Sequence, residues 1–444
     1  MTATTITEPA RTTPVYGEYD IAVLGGGPAG IAAAAAAAGL GRKVLLIERY
    51  GFLGGMGTAA GVTNFCGLHA NIHGDIQQVV HGVTDDLLGR IDALGGLNTP
   101  HMIFGKTKAQ AYDTAAFKIA ADDLLLSRNV DLLFHAYAAG VVMDGERIDA
   151  LLVETKSGRV AVRAAMFIDC SGDGDLAAFA GAPFEIGRGD DDMLYPTMMF
   201  RLNNVDPDAA GEAWRTIPQL MDEAEKRGVR FPRKGAIVRP MKHESEWRVN
   251  VTQLKTGNGR ALDGTDAREL TKGEIEGRRQ AAQFFAFLKD NAPGFGSAYI
   301  VDLPPQLGIR ETRRITGHYQ MSREDVLTCA SFADSIGVNG WPIEAHVAGD
   351  VKWEWPDIPG SRGYNQLPYR MLLPQGVGNL LVAGRCASMT HEGQSAARVS
   401  GACFVMGEAA ATGAHLAIAG GTAPDAIDIG ALQEALKTNG VFLG

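Results

Sequence analysis

Three glycines with the spacing Gly25-x-Gly27-x-x-Gly30 stand directly after an apolar run at residues 21–24. Glycines in this arrangement let the chain turn tightly, let its backbone approach a pyrophosphate and let the next helix pack on the strand. Further along, Glu48 directly follows the next apolar run, at residues 44–47. In dinucleotide-binding folds an acid at this position accepts hydrogen bonds from the hydroxyls of a ribose. Strand, glycines, helix and acid in this order predict a dinucleotide site, for NAD or for FAD.

Composition limits the partners of such a site. The chain has 444 residues, which predicts about two or three domains. It carries 41 basic and 51 acidic residues, and the resulting net charge of -10 argues against nucleic acid or an anionic membrane surface as the main partner. We therefore expect a small-molecule substrate.

The five cysteines form no Cys-x-x-Cys pair and no metal-ligand spacing. Buried thiols in a reducing compartment are typical of this pattern, which predicts a cytoplasmic protein with no metal.

An alternative interpretation of Asp169, Asp173 and Asp175 is a metal loop built from oxygen ligands. A calcium loop would need further oxygen ligands and a terminal bidentate acid, and no acid follows at that spacing.

Two N-terminal segments need separate interpretation. Residues 1–18 are rich in Thr and Pro, and we expect them to be a disordered leader rather than a signal peptide. Residues 21–41 carry no charge and are long enough to cross a bilayer, but they contain several glycines and many alanines. These small residues favour a helix packed closely on a sheet, so we predict no membrane span.

Other segments repeat the pattern of an apolar strand that runs into glycine. Gly54 and Gly55 lie in a glycine-rich loop just after Glu48, and the strands within residues 165–175 and 378–385 also end in glycine. A predicted helix at residues 110–128 and a strand at 130–134 lead into short strands with turns at 144–145 and 157–158, which indicate a β-meander. Residues 399–419 form a helical stretch of small residues.

In this order the segments resemble the bacterial FAD-dependent oxidoreductases, which are related to glutathione reductase, over residues 19–420. The resemblance implies an α/β protein with a Rossmann-like FAD-binding domain, whose parallel sheet is accompanied by the β-meander. It also implies an inserted α+β substrate domain. We expect the FAD-binding domain at residues 19–186 and 364–444 and the substrate domain at residues 187–363.

The resemblance also implies which residues contact FAD. The glycine turn would hold the pyrophosphate, and the acid would accept the ribose hydroxyls. The Gly-Gly loop would run along the ribityl chain. The meander would reach the adenine, and the last strand would reach the flavin. The residues expected at FAD are Gly25, Gly27, Pro28, Ala29, Gly30, Glu48, Arg49, Gly54, Gly55, Met56, Thr58, Ala138, Cys170, Ser171, Gly172, Gly384, Arg385 and Ser395.

Two motifs of related flavoproteins are missing from this sequence. No redox cysteine pair follows the Gly-Gly loop, since Cys66 stands alone, and no second glycine motif marks an NAD(P)H domain between residues 187 and 364. We therefore expect electrons to pass between a substrate and the flavin, with oxygen, a quinone or a protein as the electron acceptor. A homo-oligomer is compatible with the sequence.

Four residues are candidates for catalysis. His391 lies between the last strand and the following helix and could move a proton near neutral pH. His69 and His346 could reach the same cleft from the loop after Gly55 and from the insert, and Arg310 could hold a substrate carboxylate. The alternatives are a turn-capping histidine and an ion pair between Arg310 and an acid.

Together these features predict a FAD enzyme that moves a hydride between a small organic substrate, at a C–OH or C–N bond, and flavin N5. One alternative is reduction of an activated C=C bond with Arg310 as proton donor. Another is flavin monooxygenation, although the Asp-Gly segment of the aromatic hydroxylases has no clear match. A third is a non-catalytic escort protein with the same fold.

Overall fold

The structure is a computed structural model that describes residues 5–189 and 192–444. The strands of the N-terminal part are β1 (Val15–Leu24), β2 (Val44–Ile47), β3 (Asn64–Phe65), β4 (His69–Ile72), β5 (Asp75–Gln78), β6 (His101–Ile103), β7 (Thr107–Ala111), β8 (Asp131–Leu133), β9 (Tyr137–Asp144), β10 (Arg147–Thr155), β11 (Gly158–Asp169) and β12 (Phe184–Ile186). Its helices are α1 (Pro28–Gly39), α2 (Met56–Ala59), α3 (Val83–Ala93), α4 (Thr114–Ser127) and α5 (Asp175–Phe179).

The middle and C-terminal parts continue the same numbering. Their strands are β13 (Phe200–Asn203), β14 (Ile237–Pro240), β15 (Trp247–Asn250), β16 (Tyr299–Asp302), β17 (Arg313–Ile315), β18 (Ser335–Asn339), β19 (Ile343–Val347), β20 (Asp350–Glu354), β21 (Asn365–Pro368) and β22 (Leu380–Val382). Their helices are α6 (Pro207–Ala210), α7 (Ala213–Lys226), α8 (Ala267–Asn291), α9 (Arg323–Leu327), α10 (His391–Ala397), α11 (Ser400–Gly420) and α12 (Ile429–Thr438), with 3-10 turns at Tyr369–Leu372 and Pro424–Ala426.

A mixed sheet with the order β8-β2-β1-β11-β10-β9 forms the centre of the protein. Strands β8, β2, β1 and β11 pair in parallel, and β22 pairs in parallel with the last residues of β11. Strands β9, β10 and β11 are antiparallel and form the predicted meander. The prediction of an α/β fold with a parallel sheet and a β-meander is confirmed.

The N-terminal strand begins earlier than predicted. Strand β1 starts at Val15, within the segment expected to be a disordered leader, because residues Val15 to Tyr19 already pair with β11. Residues 5–14 form no regular element and are mostly exposed, and residues 1–4 of the expected leader lie outside the described residues. The leader prediction is therefore corrected at its C-terminal end.

Helices α1 and α11 are both rich in alanine and glycine, and they pack against each other in the main hydrophobic core. A Cβ on Gly407 of α11 would lie 2.0 Å from the carbonyl oxygen of Ala29 in α1, so only glycine permits this approach. Helix α11 is long and apolar enough to cross a membrane, but 78% of its apolar window is buried inside the protein. Its composition suits a core helix that contacts neighbours on several sides.

A second hydrophobic core lies between residues 200 and 298. It is built on the antiparallel sheet β14-β15-β13-β16 and on helices α7 and α8. Segments further along the chain, such as β18 and Ile343, belong to the main core instead. The division into domains at residues 187 and 363 stays a prediction.

Two predicted element boundaries differ from the structure. The helix expected at residues 110–128 begins at Thr114, because Asp113 caps it by accepting a hydrogen bond of 2.9 Å from the backbone N–H of Ala116. The preceding residues form β7 instead. The strand expected at residues 130–134 is confined to Asp131–Leu133.

Candidate active site

Strand β1 ends in a glycine turn that leaves almost no room for side chains. Gly25 has a φ of +101°, and a Cβ there would lie 2.4 Å from the carbonyl oxygen of Cys170. A Cβ on Gly30 would lie 1.8 Å from the carbonyl oxygen of Gly25. A Cβ on Gly27 would have only the Cα of Gly55 nearby, at 3.6 Å. Gly25 and Gly30 therefore close the turn, whereas Gly27 leaves its backbone open to a ligand.

A cavity of about 410 Å³ begins at this turn and is also lined by residues of the middle part and of β19 and β20. Most residues expected at FAD line it: Gly25, Gly27, Pro28, Ala29, Glu48, Arg49, Gly55, Met56, Ala138, Cys170, Ser171, Gly172, Gly384 and Arg385. The remaining ones do not line it: Gly30, Gly54, Thr58 and Ser395. The structure thus brings segments from distant parts of the chain to one elongated space.

Helix α1 points its N-terminus at the cavity. Gly27 is its N-cap and offers no side-chain hydrogen bond, and Pro28 opens the first turn. The free N–H groups of that turn and the positive end of the helix dipole suit an anion. This arrangement fits the pyrophosphate of a dinucleotide.

Glu48 lies at the end of β2 and lines the same part of the cavity. Its Oε2 accepts a 2.6 Å hydrogen bond from the N–H of Gly26, and its Oε1 accepts one of 3.0 Å from the N–H of Tyr50. Burial raises the pKa of Glu48, against the lowering effect of these hydrogen bonds. Each carboxylate oxygen has a further lone pair, so Glu48 can also accept the two hydroxyls of a ribose.

The Gly54-Gly55 loop crosses the glycine turn. The N–H of Gly54 donates to the carbonyl oxygen of Gly26 over 2.8 Å, and a Cβ on Gly55 would lie 2.7 Å from the Cα of Gly27. Thr58 turns away from the cavity, because its hydroxyl donates to the carbonyl oxygen of Leu53 at 2.7 Å. The loop's backbone, not the Thr58 side chain, therefore borders the space beside the turn.

Asp173 joins two arginines at the cavity edge. Its Oδ1 lies 2.9 Å from Nη2 of Arg385, and its Oδ2 lies 3.4 Å from Nη1 of Arg49. The hydroxyl of Thr312 donates to the same carboxylate at 3.0 Å. Although burial raises the pKa of Asp173, the two guanidiniums lower it below its ordinary value. The cluster fastens the ends of β2, β11 and β22 to one another around the cavity.

The other two acids of this segment are also engaged by protein groups. Asp169 accepts hydrogen bonds from Ser171 and from the N–H of Ala177, and Asp175 pairs with Arg313 at 2.9 Å. Across residues 5–189 and 192–444, no cluster of three or more His, Cys, Asp or Glu side chains could hold a metal ion. The contacts support a structural role for these carboxylates.

The cysteines near the cavity are unpaired thiols. All five cysteines of the chain are free. Burial raises the pKa of Cys66 to about 12 and that of Cys170 well above its ordinary value, so both stay protonated near neutral pH. Neither thiol is therefore prepared for thiolate chemistry.

The candidate catalytic residues separate into two groups. Arg310 and His346 line the cavity, whereas His69 and His391 do not. His69 is buried in β4, and burial lowers its pKa to about 4. Arg310 donates from Nη1 to the carbonyl oxygen of Tyr195 at 2.6 Å.

His391 belongs to a buried ion network instead of the cavity wall. It is the first residue of α10, not part of a loop, because the side chain of Thr390 caps that helix by accepting from the N–H of Gly393. Nδ1 of His391 lies 2.9 Å from Oε2 of Glu311, which also pairs with Arg314. His391 therefore lies outside the cavity lining, with its Nδ1 engaged by Glu311.

Several residues of the cavity wall were not predicted from the sequence. They are Arg239, Arg248, Trp341, Glu344 and Arg398. No motif marks them, because the tertiary packing of β14, β15, the start of β19 and the end of α10 brings them to the cavity, and local spacing does not. The one sequence signal for this region is that all five tryptophans of the chain lie within residues 187–363.

A glycine turn, an uncapped helix start and a buried acid on one cavity define a dinucleotide-binding protein. A sequence model of the family described as FAD dependent oxidoreductase matches residues 20–436. The chain therefore belongs to the FAD dependent oxidoreductase family; it is an enzyme and its cofactor is FAD. A comparison with curated protein sequences found no match.

Solved structures with this fold share little sequence with the chain. A geranylgeranyl bacteriochlorophyll reductase-like protein from Thermoplasma acidophilum is 15% identical, with a TM-score of 0.50 over 95% of this chain and 83% of that chain. An anhydrotetracycline hydroxylase from Streptomyces rimosus is 14% identical, with a TM-score of 0.45 over 95% of this chain and 65% of that chain. The first likeness shows the fold alone.

Proposed function

We propose that the enzyme oxidises a C–OH or C–N bond of a small organic substrate and that His346 accepts the proton released from oxygen or nitrogen. FAD, when bound, supplies the hydride acceptor at its N5 atom. The observation that carries the proposal is the pairing of His346 with Glu344 on the wall of the cavity that begins at the glycine turn. Nε2 of His346 lies 3.0 Å from Oε1 of Glu344.

The protonation of this pair suits a general base. Burial raises the pKa of Glu344, but the hydrogen bonds from His346 and Trp341 and the charge of Arg398 help to lower it to about 2, so Glu344 is a carboxylate. A carboxylate only accepts hydrogen bonds, so Nε2 of His346 carries the proton and Nδ1 keeps a lone pair. Burial lowers the pKa of His346 well below its ordinary value, which keeps the ring neutral near pH 7.

Glu344 is itself held in place. Its Oε2 accepts a 3.0 Å hydrogen bond from Nε1 of Trp341, and Arg398 donates to its backbone carbonyl at 3.1 Å. The fixed carboxylate orients the imidazole and stabilises the positive charge that forms when Nδ1 takes a proton. We therefore assign the proton transfer to His346 in place of His391.

Reduction of an activated C=C bond is a second candidate function. Arg310 lines the cavity, and burial followed by the charges of Arg398 and Arg233 lowers its pKa well below its ordinary value. A guanidinium in that environment gives up a proton more readily than one in water. Arg310 would be the proton donor of this reaction.

Anaerobic spectroscopy of the FAD-loaded enzyme tests the proposal. A panel of alcohols, amines and amino acids is mixed with the oxidised enzyme, and the flavin absorbance is followed. We expect at least one to bleach the flavin, and admission of oxygen then separates an oxidase from a dehydrogenase with a quinone or protein acceptor. Bleaching by none, together with reoxidation of the photoreduced enzyme by an activated alkene, would favour the second candidate.

The cellular setting is also a proposal. The five free thiols support a reducing compartment, and we propose the cytoplasm.

A further inference from the structure

Three arginines lie side by side across the sheet of the middle part. Arg239 of β14 and Arg201 of β13 are each the direct partner of Arg248 in β15. Like charges that face each other across antiparallel strands repel, unless each finds an opposite charge. The contacts of the three side chains show which of these positive charges are neutralised within the protein.

Only one of the three is neutralised by acids. Arg201 pairs with Glu246 at 2.6 Å and with Asp302 at 3.2 Å. Within the described residues, neither Arg239 nor Arg248 forms an ion pair with an acid. Both line the cavity, whereas Arg201 does not.

Arg248 is the more enclosed of the two. It is 9% exposed, its Nη1 reaches the carbonyl oxygen of Val62 at 3.4 Å, and its Nε is buried with no hydrogen-bond partner. Arg239 lies over the ring of Trp214, 5.0 Å from the ring centroid. Burial lowers the pKa of Arg248 to about 10, and the charge of Arg239 contributes to that lowering. A buried guanidinium with a free donor and no counter-charge is costly unless a ligand brings the negative charge.

The same cavity also has aromatic walls. Phe104 lies edge-on to Trp353 with ring centroids 5.2 Å apart, and Trp341 lies 6.0 Å from Trp353 in the same way. All three rings line the cavity, as does Tyr112. Such walls accept a flat apolar body and exclude a small, strongly hydrated molecule.

We propose that Arg248 and Arg239 bind the carboxylate of the substrate, which would be a carboxylic acid with a flat, largely apolar body. This inference deepens the proposed function and rests on it, because the acid must also present a C–OH or C–N bond to His346. A guanidinium binds a carboxylate through two parallel hydrogen bonds, so Arg248 would serve as the specificity-determining residue.

Binding measurements on the FAD-loaded enzyme test this assignment without turnover. Benzoate, phenylacetate and 3-phenylpropionate are each compared with the corresponding amide by calorimetry and by the change in the flavin spectrum. We expect at least one acid to bind about tenfold or more tightly than its amide, the equivalent of one charge-assisted hydrogen bond. Arg248→Gln should abolish that ratio, Arg248→Lys should keep part of it, and Arg239→Gln should reduce it.

Arg215→Gln is the matched control, since Arg215 is exposed on α7 of the same part of the chain, and it should keep the ratio. The affinity for FAD should be equal in wild type and Arg248→Gln. Thermal unfolding without ligand adds a second readout: removing an unpaired buried charge should not lower the melting temperature.

Three results would overturn the assignment. They are the absence of any acid that binds more tightly than its amide, a preference that survives in both glutamine variants, and a loss of FAD from Arg248→Gln. Tight acid binding in an enzyme whose flavin no substrate reduces would instead count against the proposed reaction and leave the carboxylate site standing.

Discussion

Nε2 of His346 lies 3.0 Å from Oε1 of Glu344, and the two residues are two positions apart on β19, so their side chains leave the same face of the strand. The strand therefore fixes the distance between base and carboxylate by its own geometry. Trp341 holds the other carboxylate oxygen, which leaves the pair little rotational freedom. The proposed chemistry depends on this pair.

Removing the charge of Glu344 should impair catalysis while the cavity persists. In Glu344→Gln the amide can donate as well as accept, so it no longer fixes the proton on Nε2 of His346 and cannot stabilise an imidazolium. We expect the rate constant of anaerobic flavin reduction to fall by about 10²-fold to 10⁴-fold. Rapid-mixing absorbance measures it, and a rate within about threefold of wild type would remove Glu344 from the proposed mechanism.

The rate constant of flavin reduction should fall only at acidic pH. Burial lowers the pKa of His346 well below the ordinary value of 6.5, and its neutral form is the base. The rate constant should therefore stay level from neutral pH down through 6.5 and fall only below that value, where the ring takes up a proton. If the rate constant instead fell on acidification with a midpoint at or above pH 7, a different residue would be the base.

The affinity for FAD should depend on Glu48. Glu48→Gln keeps an acceptor for the N–H of Gly26 but weakens the hydrogen bonds to the ribose, because a neutral amide accepts them less strongly than a carboxylate. We expect the dissociation constant of FAD to rise about 10-fold to 100-fold in fluorescence titrations of the apoprotein. Glu18→Gln, at an exposed position on β1, is the control and should bind FAD like wild type; equal affinity in both variants would remove Glu48 from the ribose site.

The sequence predicted the parts of the site that depend on local backbone geometry. Gly25 and Gly30 are required by contacts of a Cβ with a neighbouring carbonyl oxygen, and Glu48 must follow the strand beside them. Alternating short strands and turns predicted the meander in the same way. These features are encoded over short stretches of chain, so spacing alone revealed them.

The remainder of the site arises from pairings between distant segments. Arg239 and Arg248 come together only through the register of β14 and β15, and no single-sequence pattern fixes that register. His391 was placed near the flavin from its position in the chain, but Glu311, eighty positions away, draws its ring into a buried network. Side-chain direction in such cases is decided by tertiary contacts that spacing does not report.

The stability of the protein should depend on the protonation of Glu408 in α11. Burial raises its pKa from 4.5 to about 7, so the folded state favours the protonated form. This contribution is fully present below the unfolded pKa of 4.5 and is lost as the pH rises through 7. Between pH 5 and 8 we expect wild type to lose about 2 to 3 kcal/mol of unfolding free energy relative to Glu408→Gln.

Denaturant unfolding of both proteins across this range measures the difference. Glu434→Gln, at an exposed position of α12, should follow wild type at every pH. Parallel pH dependence of wild type and Glu408→Gln would show that Glu408 does not titrate in this range.

The most direct test of the central claim compares two histidine variants in anaerobic flavin reduction. With a substrate that bleaches the wild-type flavin, His346→Asn should retain bound FAD but reduce it about 10²-fold to 10⁴-fold more slowly. His391→Asn, which alters the buried network with Glu311 and leaves the cavity wall intact, should reduce FAD within about tenfold of the wild-type rate. A normal rate in His346→Asn, or a large loss confined to His391→Asn, would contradict the assignment of His346 as the base.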